Sequence, residues 1–295
     1  SPFTAHHLFA LSKYVSNVLL TRANPAGWIE TSRGCVFDCG YCNKEVHGRT
    51  FRKKSTERVL DDIERMLKAG YREIHIADDG FTTDLKRAAN ICESIIKSPF
   101  RFPWSCVNGI RVDRVDQELL NIMARAGCYR ISFGIESGNQ QVLNDFGKKV
   151  SLDQIRKAVE MAKKAGMEVF GYFMLALPTD NESSMKDTLK FATSLDLDLA
   201  KVSVTIPFPG TPFYQYYSNK GQIKTNDWSL YNVYKIPRKI YDHSNLSWDT
   251  VEAFYKRFYR DFYFRPSYVI KRFGKALREG HLLSDLKAFF LVKWF

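Results

Sequence analysis

The sequence has no run of eighteen or more apolar residues, so no transmembrane helix is expected from it. Its first residues lack the charged-then-apolar pattern of a secretory signal. It also lacks a second cysteine pair. Cys35, Cys39 and Cys42 stand at CxxxCxxC spacing, whereas Cys92, Cys106 and Cys128 are scattered. A structural zinc wants four ligands, usually as two pairs. His47 is the nearest candidate for a fourth, and nothing in its spacing marks it as one. His6 and His7 are adjacent, so on any regular element they point different ways and make no ligand pair. A disulfide framework belongs to short secreted chains, and this chain has 295 residues. Its thiols fit a reducing cytoplasm instead. The chain starts without Met at Ser1-Pro2-Phe3 and closes on the apolar Leu291-Val292-Lys293-Trp294-Phe295. A fragment of a longer chain is therefore expected.

What is present is ample for a large core. The chain is 45% hydrophobic, and its length suits one barrel-sized domain plus an appendage. The net charge is +12, concentrated toward the end: from Lys201 onward there are 16 Lys and Arg against 7 Asp and Glu. A solvated basic surface, or one that meets an acidic neighbour, is the preferred reading. Nucleic acid or an anionic membrane is the competing one.

Three segments are expected. Residues 1–27 carry little periodicity and read as a linker. Residues 28–206 alternate strand and helix signals. The first strand, at Trp28-Ile29, runs into the cysteines. A helix capped at Ser55-Thr56 follows, with Val59, Leu60, Ile63, Met66 and Leu67 on one stripe. Further strands are expected at 74–77, 104–107, 129–133, 169–175 and 202–206. Helices fall between them, one opened by the capping box Ser151-Leu152-Asp153-Gln154. Lys68-Ala69-Gly70, Arg125-Ala126-Gly127 and Lys164-Ala165-Gly166 each close a helix just before a strand. Six strand–helix steps argue an α/β fold of parallel strands with right-handed crossovers. Six are too few for a closed eight-stranded barrel, so a partial (β/α)6 barrel open on one side is predicted. After the Pro207-Phe208-Pro209-Gly210-Thr211-Pro212 turn, residues 207–295 form a mostly helical, aromatic and basic extension. There Phe254, Tyr255, Phe258, Tyr259 and Phe262 fall at helical spacing and predict a core-packing face.

Chemistry is expected where strands end. The cysteine loop follows the first strand, and a cubane iron–sulfur cluster normally takes four thiolates. Three on one loop leave one iron open to a small molecule. The next strands end in Asp78-Asp79-Gly80, then Asn108-Gly109-Ile110-Arg111-Val112-Asp113, then Gly134-Ile135-Glu136-Ser137-Gly138. Helix capping is the bland role for a strand-end carboxylate, and Asp78 is read that way. Cys92 and Cys128 read as buried hydrophobes. Cys106 faces either core or cavity, and His75 reads as a partnered core histidine.

The cysteine motif, with Tyr41 directly before its third cysteine, resembles that of the radical S-adenosylmethionine (radical SAM) enzymes. Together with the strand-end motifs and Phe262-Tyr263-Phe264-Arg265-Pro266, it is similar over roughly residues 28–270 to the branch of cobalamin-dependent methyltransferases and cyclases. The resemblance implies the partial barrel, a [4Fe-4S] cluster on Cys35, Cys39 and Cys42, and reductive cleavage of S-adenosylmethionine that starts radical chemistry on a substrate. It further implies cofactor contacts by Tyr41, Asp79, Gly80, Asn108, Arg111, Glu136 and Ser137. Carboxylates would accept from the cofactor's amino group or hydroxyls, and Arg111 would neutralise its carboxylate. Gly80, Gly134 and Gly138 would allow close backbone approach. The cobalamin-binding D-x-H-x-x-G pattern is missing, so cobalamin is expected only if the full-length protein has an upstream domain. The expected partners are a small-molecule or lipid-like substrate and an electron donor such as flavodoxin or ferredoxin. The competing reading is a structural-metal nucleic-acid or protein binding module using the basic C-terminal third, with nucleic acid the disfavoured partner.

Overall fold

Six mostly apolar runs form the strands of a single parallel sheet in the computed structural model, which describes residues 2–16, 20–280 and 282. Strand β1 (Ala26–Ile29) leads to a two-residue antiparallel ribbon, β2 (Ser32–Arg33) with β3 (Arg52–Lys53). Helix α1 (Thr56–Lys68) then crosses to β4 (Glu73–Ile76), and α2 (Leu85–Lys97) to β5 (Trp104–Ile110). Helix α3 (Gln117–Arg125) precedes β6 (Cys128–Glu136). Two helices, α4 (Gln140–Asp145) and α5 (Leu152–Lys164), lead to β7 (Glu168–Leu175), and α6 (Glu182–Ser194) leads to β8 (Leu199–Val204). The extension contributes α7 (Pro212–Asn219), α8 (Trp248–Tyr263) and α9 (Pro266–Glu279).

The sheet runs β1-β4-β5-β6-β7-β8, and among the described residues β1 and β8 do not pair. The sheet is therefore open, as six units require. Local chemistry places the helices. Ser55, Asp84, Asp116, Ser151 and Asn181 each accept a first-turn N–H of the helix that follows. The repeated Ala-Gly endings put Gly70, Gly127 and Gly166 at positive φ, where a side chain would be strained. The core lies between the sheet's outer face and these helices, around Ile63, Ile91, Leu120, Val159 and Ala192.

Three elements escaped the pattern. The ribbon is too short to show alternation. Helix α4 spans one and a half turns and buries only Val142 and Leu143. Helix α7 begins inside what reads as turn chemistry, because Thr211 caps it and Pro212 suits its first turn. Part of the expected linker is docked: the Arg22 and Ala23 amides donate to Glu73 Oε2 at 2.7 Å each. The apolar run 291–295 lies outside the described residues.

Helix α8 covers the free edge at β8. Phe254, Phe258 and Phe262 are buried, as the aromatic spacing predicts. Tyr259 Oη accepts from the Val202 amide at 3.3 Å and donates to the Val202 carbonyl at 3.1 Å. Tyr263 Oη does the same at Ala200, at 3.0 and 2.7 Å. Each hydroxyl thereby satisfies both polar groups of an edge residue.

Candidate active site

The cysteine loop leaves β2 at the end of the sheet where β4, β5 and β6 also terminate. Asp78 and Asp79, the turn after β4, hold its start. Buried Asp78 accepts from the Thr31 amide and hydroxyl at 2.5 Å each and from the Ser32 hydroxyl at 2.6 Å. Burial pushes its carboxyl up, and those hydrogen bonds oppose the shift. Asp78 is thus an anchor for the loop rather than a helix cap; Asp84 caps α2 by accepting from the Arg87 amide at 3.0 Å. Asp79 Oδ2 accepts from the Gly34 amide at 2.9 Å. Gly34 is required there: its φ is +88°, and a Cβ would stand 2.3 Å from the Thr50 carbonyl oxygen. Further along, Gly40 N donates to the Phe146 carbonyl at 2.9 Å.

Cys35, Cys39 and Cys42 line a cavity of about 270 Å³ together with Tyr41, Asp79, Gly80, Arg111, Glu136 and Lys148. Burial, then the neighbouring Cys35 and Cys39, push the Cys42 thiol up. Thiolates are the donor type that holds iron–sulfur clusters. Among the described residues no three His, Cys, Asp or Glu side chains converge on one point as ligands of a single ion do.

Part of the cavity lining is ionic. Tyr41 Oη donates to Glu136 Oε1 at 2.9 Å, and Lys148 Nζ reaches the same oxygen at 2.9 Å. Burial, then the Glu136 carboxylate and Cys39, hold the Tyr41 phenol well above its ordinary value, so it stays a donor. Glu136 itself sits at φ +67°, a strained conformation for a residue with a side chain. Gly134 makes room for this pair, since a Cβ there would lie 2.6 Å from Glu136 Oε1. The fork of Arg111 is closed on Asp113 at 2.9 and 3.0 Å, and its Nη1 lies 3.9 Å from Cys39 Sγ. Its guanidinium covers the Phe37 ring at 4.0 Å.

Other expected contacts lie elsewhere. Asn108 does not line the cavity; its side-chain amide ties β5 to the Ala77 and Asp78 carbonyls at 2.8 and 3.2 Å. Ser137 is buried with its hydroxyl on Thr188 Oγ1 at 3.1 Å. Gly138 packs against α6, where a Cβ would come 2.4 Å from Phe191 Cβ, so its role is helix packing rather than ligand approach. Cys92, Cys106 and Cys128 are buried free thiols, and Cys106 does not reach the cavity. His75 is a core histidine with Ser105 Oγ at 2.6 Å. Burial, then Arg130, lower its pKa to about 4, so it is neutral although Glu73 Oε1 stands 3.5 Å away. The residue that sequence reasoning missed is Lys148. Beside Lys149 in a Gly-Lys-Lys turn, it shows its difference only through burial.

A family model described as the radical SAM superfamily matches residues 29–192. An uncharacterized methyltransferase of Pyrococcus horikoshii, PH0819, is 29% identical over 272 residues, covering 92% of this chain and 57% of that protein. An anaerobic magnesium-protoporphyrin IX monomethyl ester cyclase of Cereibacter sphaeroides is 27% identical over 263 residues, covering 88% of this chain and 42% of that protein. The chain thus spans about half the length of these curated relatives. Among solved structures, the cobalamin-dependent S-adenosylmethionine radical enzyme OxsB has a TM-score of 0.64 at 19% identity, over 87% of this chain and 46% of that one. The methyltransferase TsrM of Kitasatospora setae has a TM-score of 0.62 at 18% identity, over 68% and 38%. These structures share the fold. No helix among the described residues is long and apolar enough to cross a membrane. A family match that covers more than half of the chain, and takes in all three cysteines of the cavity wall, makes this chain a member of the radical SAM superfamily.

Proposed function

We propose that Cys35, Cys39 and Cys42 hold a [4Fe-4S] cluster, that S-adenosylmethionine binds in the adjoining cavity, and that the chain starts a methylation or cyclisation of a small-molecule or lipid-like substrate. One observation carries the reading: three thiols and the Glu136–Lys148 ion pair face the same cavity. Bound there, the cluster supplies the single electron for reductive cleavage of the sulfonium. The residues position and shield. Lys148 and Tyr41 both donate to Oε1 of Glu136, which leaves Oε2 for the cofactor's amino group or a ribose hydroxyl. Arg111 Nη1 offers a charge to its carboxylate, and the backbone at Gly80 allows close approach. Phe37 and Tyr172 give the cavity aromatic lining.

In this reading residues 28–206 are the catalytic barrel, 1–27 lead into it, and 207–295 are an extension whose helix α8 covers the open edge. The methyltransferase and cyclase relatives support the reaction types. Cobalamin takes part only with an upstream domain in the full-length protein. The electron comes from a flavodoxin or ferredoxin in a reducing cytoplasm. The test is anaerobic reconstitution with iron and sulfide, then dithionite and S-adenosylmethionine. A brown protein that releases 5′-deoxyadenosine and methionine, and loses both colour and products in Cys39→Ala, is expected. A colourless, zinc-loaded chain would sink the reading.

A further inference from the structure

We infer that the basic groove behind the cysteine loop docks a small acidic electron-transfer protein; this rests on the cluster reading above. The groove, about 400 Å³, lies along the β2–β3 ribbon. Its charged walls are Arg33, Arg52, Lys53, Lys54 and Arg58 against one carboxylate, Glu30. Internal pairing neutralises only part of this charge. Arg33 meets Glu30, Lys53 meets Asp84 at 2.6 Å, and Lys54 and Arg58 share Asp62 at 2.8 and 3.0 Å. Arg52 donates to the His47 carbonyl at 2.8 Å and has no carboxylate partner among the described residues.

Position gives the charge its meaning. Arg33 precedes Cys35 by two residues, a span of at most about 7 Å. A donor on the ribbon therefore comes close to the cysteine that follows, without entering the cavity that the cofactor needs. Register pairing sets Arg33 opposite Arg52 and Ser32 opposite Lys53, so the cations spread along a ribbon and suit an extended acidic face. The chain's +12 charge favours encounter with such a partner. The exchange is one electron: the carrier is oxidised by one, the cluster is reduced by one, and no bond forms or breaks.

The test compares the wild type with the double variant Arg52→Glu/Lys53→Glu, both positions being exposed. Stopped-flow reduction of the reconstituted protein by reduced bacterial flavodoxin should slow by about tenfold in the variant and lose most of its salt dependence. Reduction by dithionite should be unchanged. Before reconstitution, binding of oxidised flavodoxin should weaken by a similar factor, and this readout needs no cluster. Failure to take up iron would defeat the cluster reading, and flavodoxin binding would still judge the groove. Equal flavodoxin affinity in the two proteins would overturn the proposal. So would binding of inorganic phosphate, lost in the variant, that leaves flavodoxin affinity unmoved, because the groove would then be a small-anion site.

Discussion

Lys148 Nζ lies 2.9 Å from Glu136 Oε1, with the two side chains only 4% and 9% exposed. A buried pair of this kind adds little net stability, but removing one partner strands the other charge. Lys148→Met should therefore cost about 3 kcal/mol in urea unfolding and weaken S-adenosylmethionine binding. Glu136→Gln keeps an acceptor for Lys148 but leaves its charge uncompensated, so stability should fall too, by less than in Lys148→Met, while iron content stays near wild type. Cofactor affinity should still fall by about tenfold, or about 1.4 kcal/mol. Equilibrium dialysis separates the outcomes: lost stability with unchanged affinity would give the pair a purely structural role.

Replacing Cys35, Cys39 or Cys42 with Ala should each abolish bound iron, sulfide and visible absorption after reconstitution. Cys92→Ala and Cys128→Ala should retain all three, because those thiols are buried away from the cavity. Equal loss in the two sets would refute the ligand assignment.

Acid should act first at the other end of the barrel. Burial alone would raise the Glu168 carboxyl, but Arg130, Lys275 and Arg22 outweigh it and hold its pKa at about 2. A carboxyl lowered on folding contributes stability that is complete above its unfolded pKa, near 4.5, and fades as pH falls toward 2. Glu168→Gln should cost about 3 kcal/mol at neutral pH and progressively less below pH 4.5. Asp180 runs the opposite way, since burial raises it to about 6. The difference between wild type and variant isolates Glu168, and a cost that does not shrink in acid would disprove the assignment.

Tyr259→Phe/Tyr263→Phe removes four hydrogen bonds to the β8 backbone. At about 1 kcal/mol each, partly regained from water, the loss should be about 2–4 kcal/mol. Faster hydrogen exchange at the Ala200 and Val202 amides is the direct readout. Unchanged exchange there would mean that α8 packing alone protects the edge.

The parallel sheet was legible because its units repeat one grammar: a capping Ser, Asp or Asn and an apolar stripe, closed in three of them by Ala-Gly before a strand. The cysteine wall was legible because its three cysteines lie on one loop. Lys148 was not, since its partner Glu136 is twelve residues away and a buried lysine reads like an exposed one. Ser137 misled for the reverse reason: beside Glu136 in sequence, it lies just past the end of β6, where the positive φ of Glu136 turns the chain, and its hydroxyl meets Thr188 of α6. Arg111 was placed correctly at a strand end, but its neighbour Asp113 takes the fork that was expected to meet a ligand.

The two aspartates after β4 grip the cysteine loop through main chain and hydroxyls, not through sulfur. The ordering cost of the loop's start is therefore met when the protein folds. Protein groups alone hold that stretch at its start. Damage by oxygen should then be a chemical injury and not a conformational one. The entry to the cysteine loop should keep its shape while a cluster is lost and rebuilt.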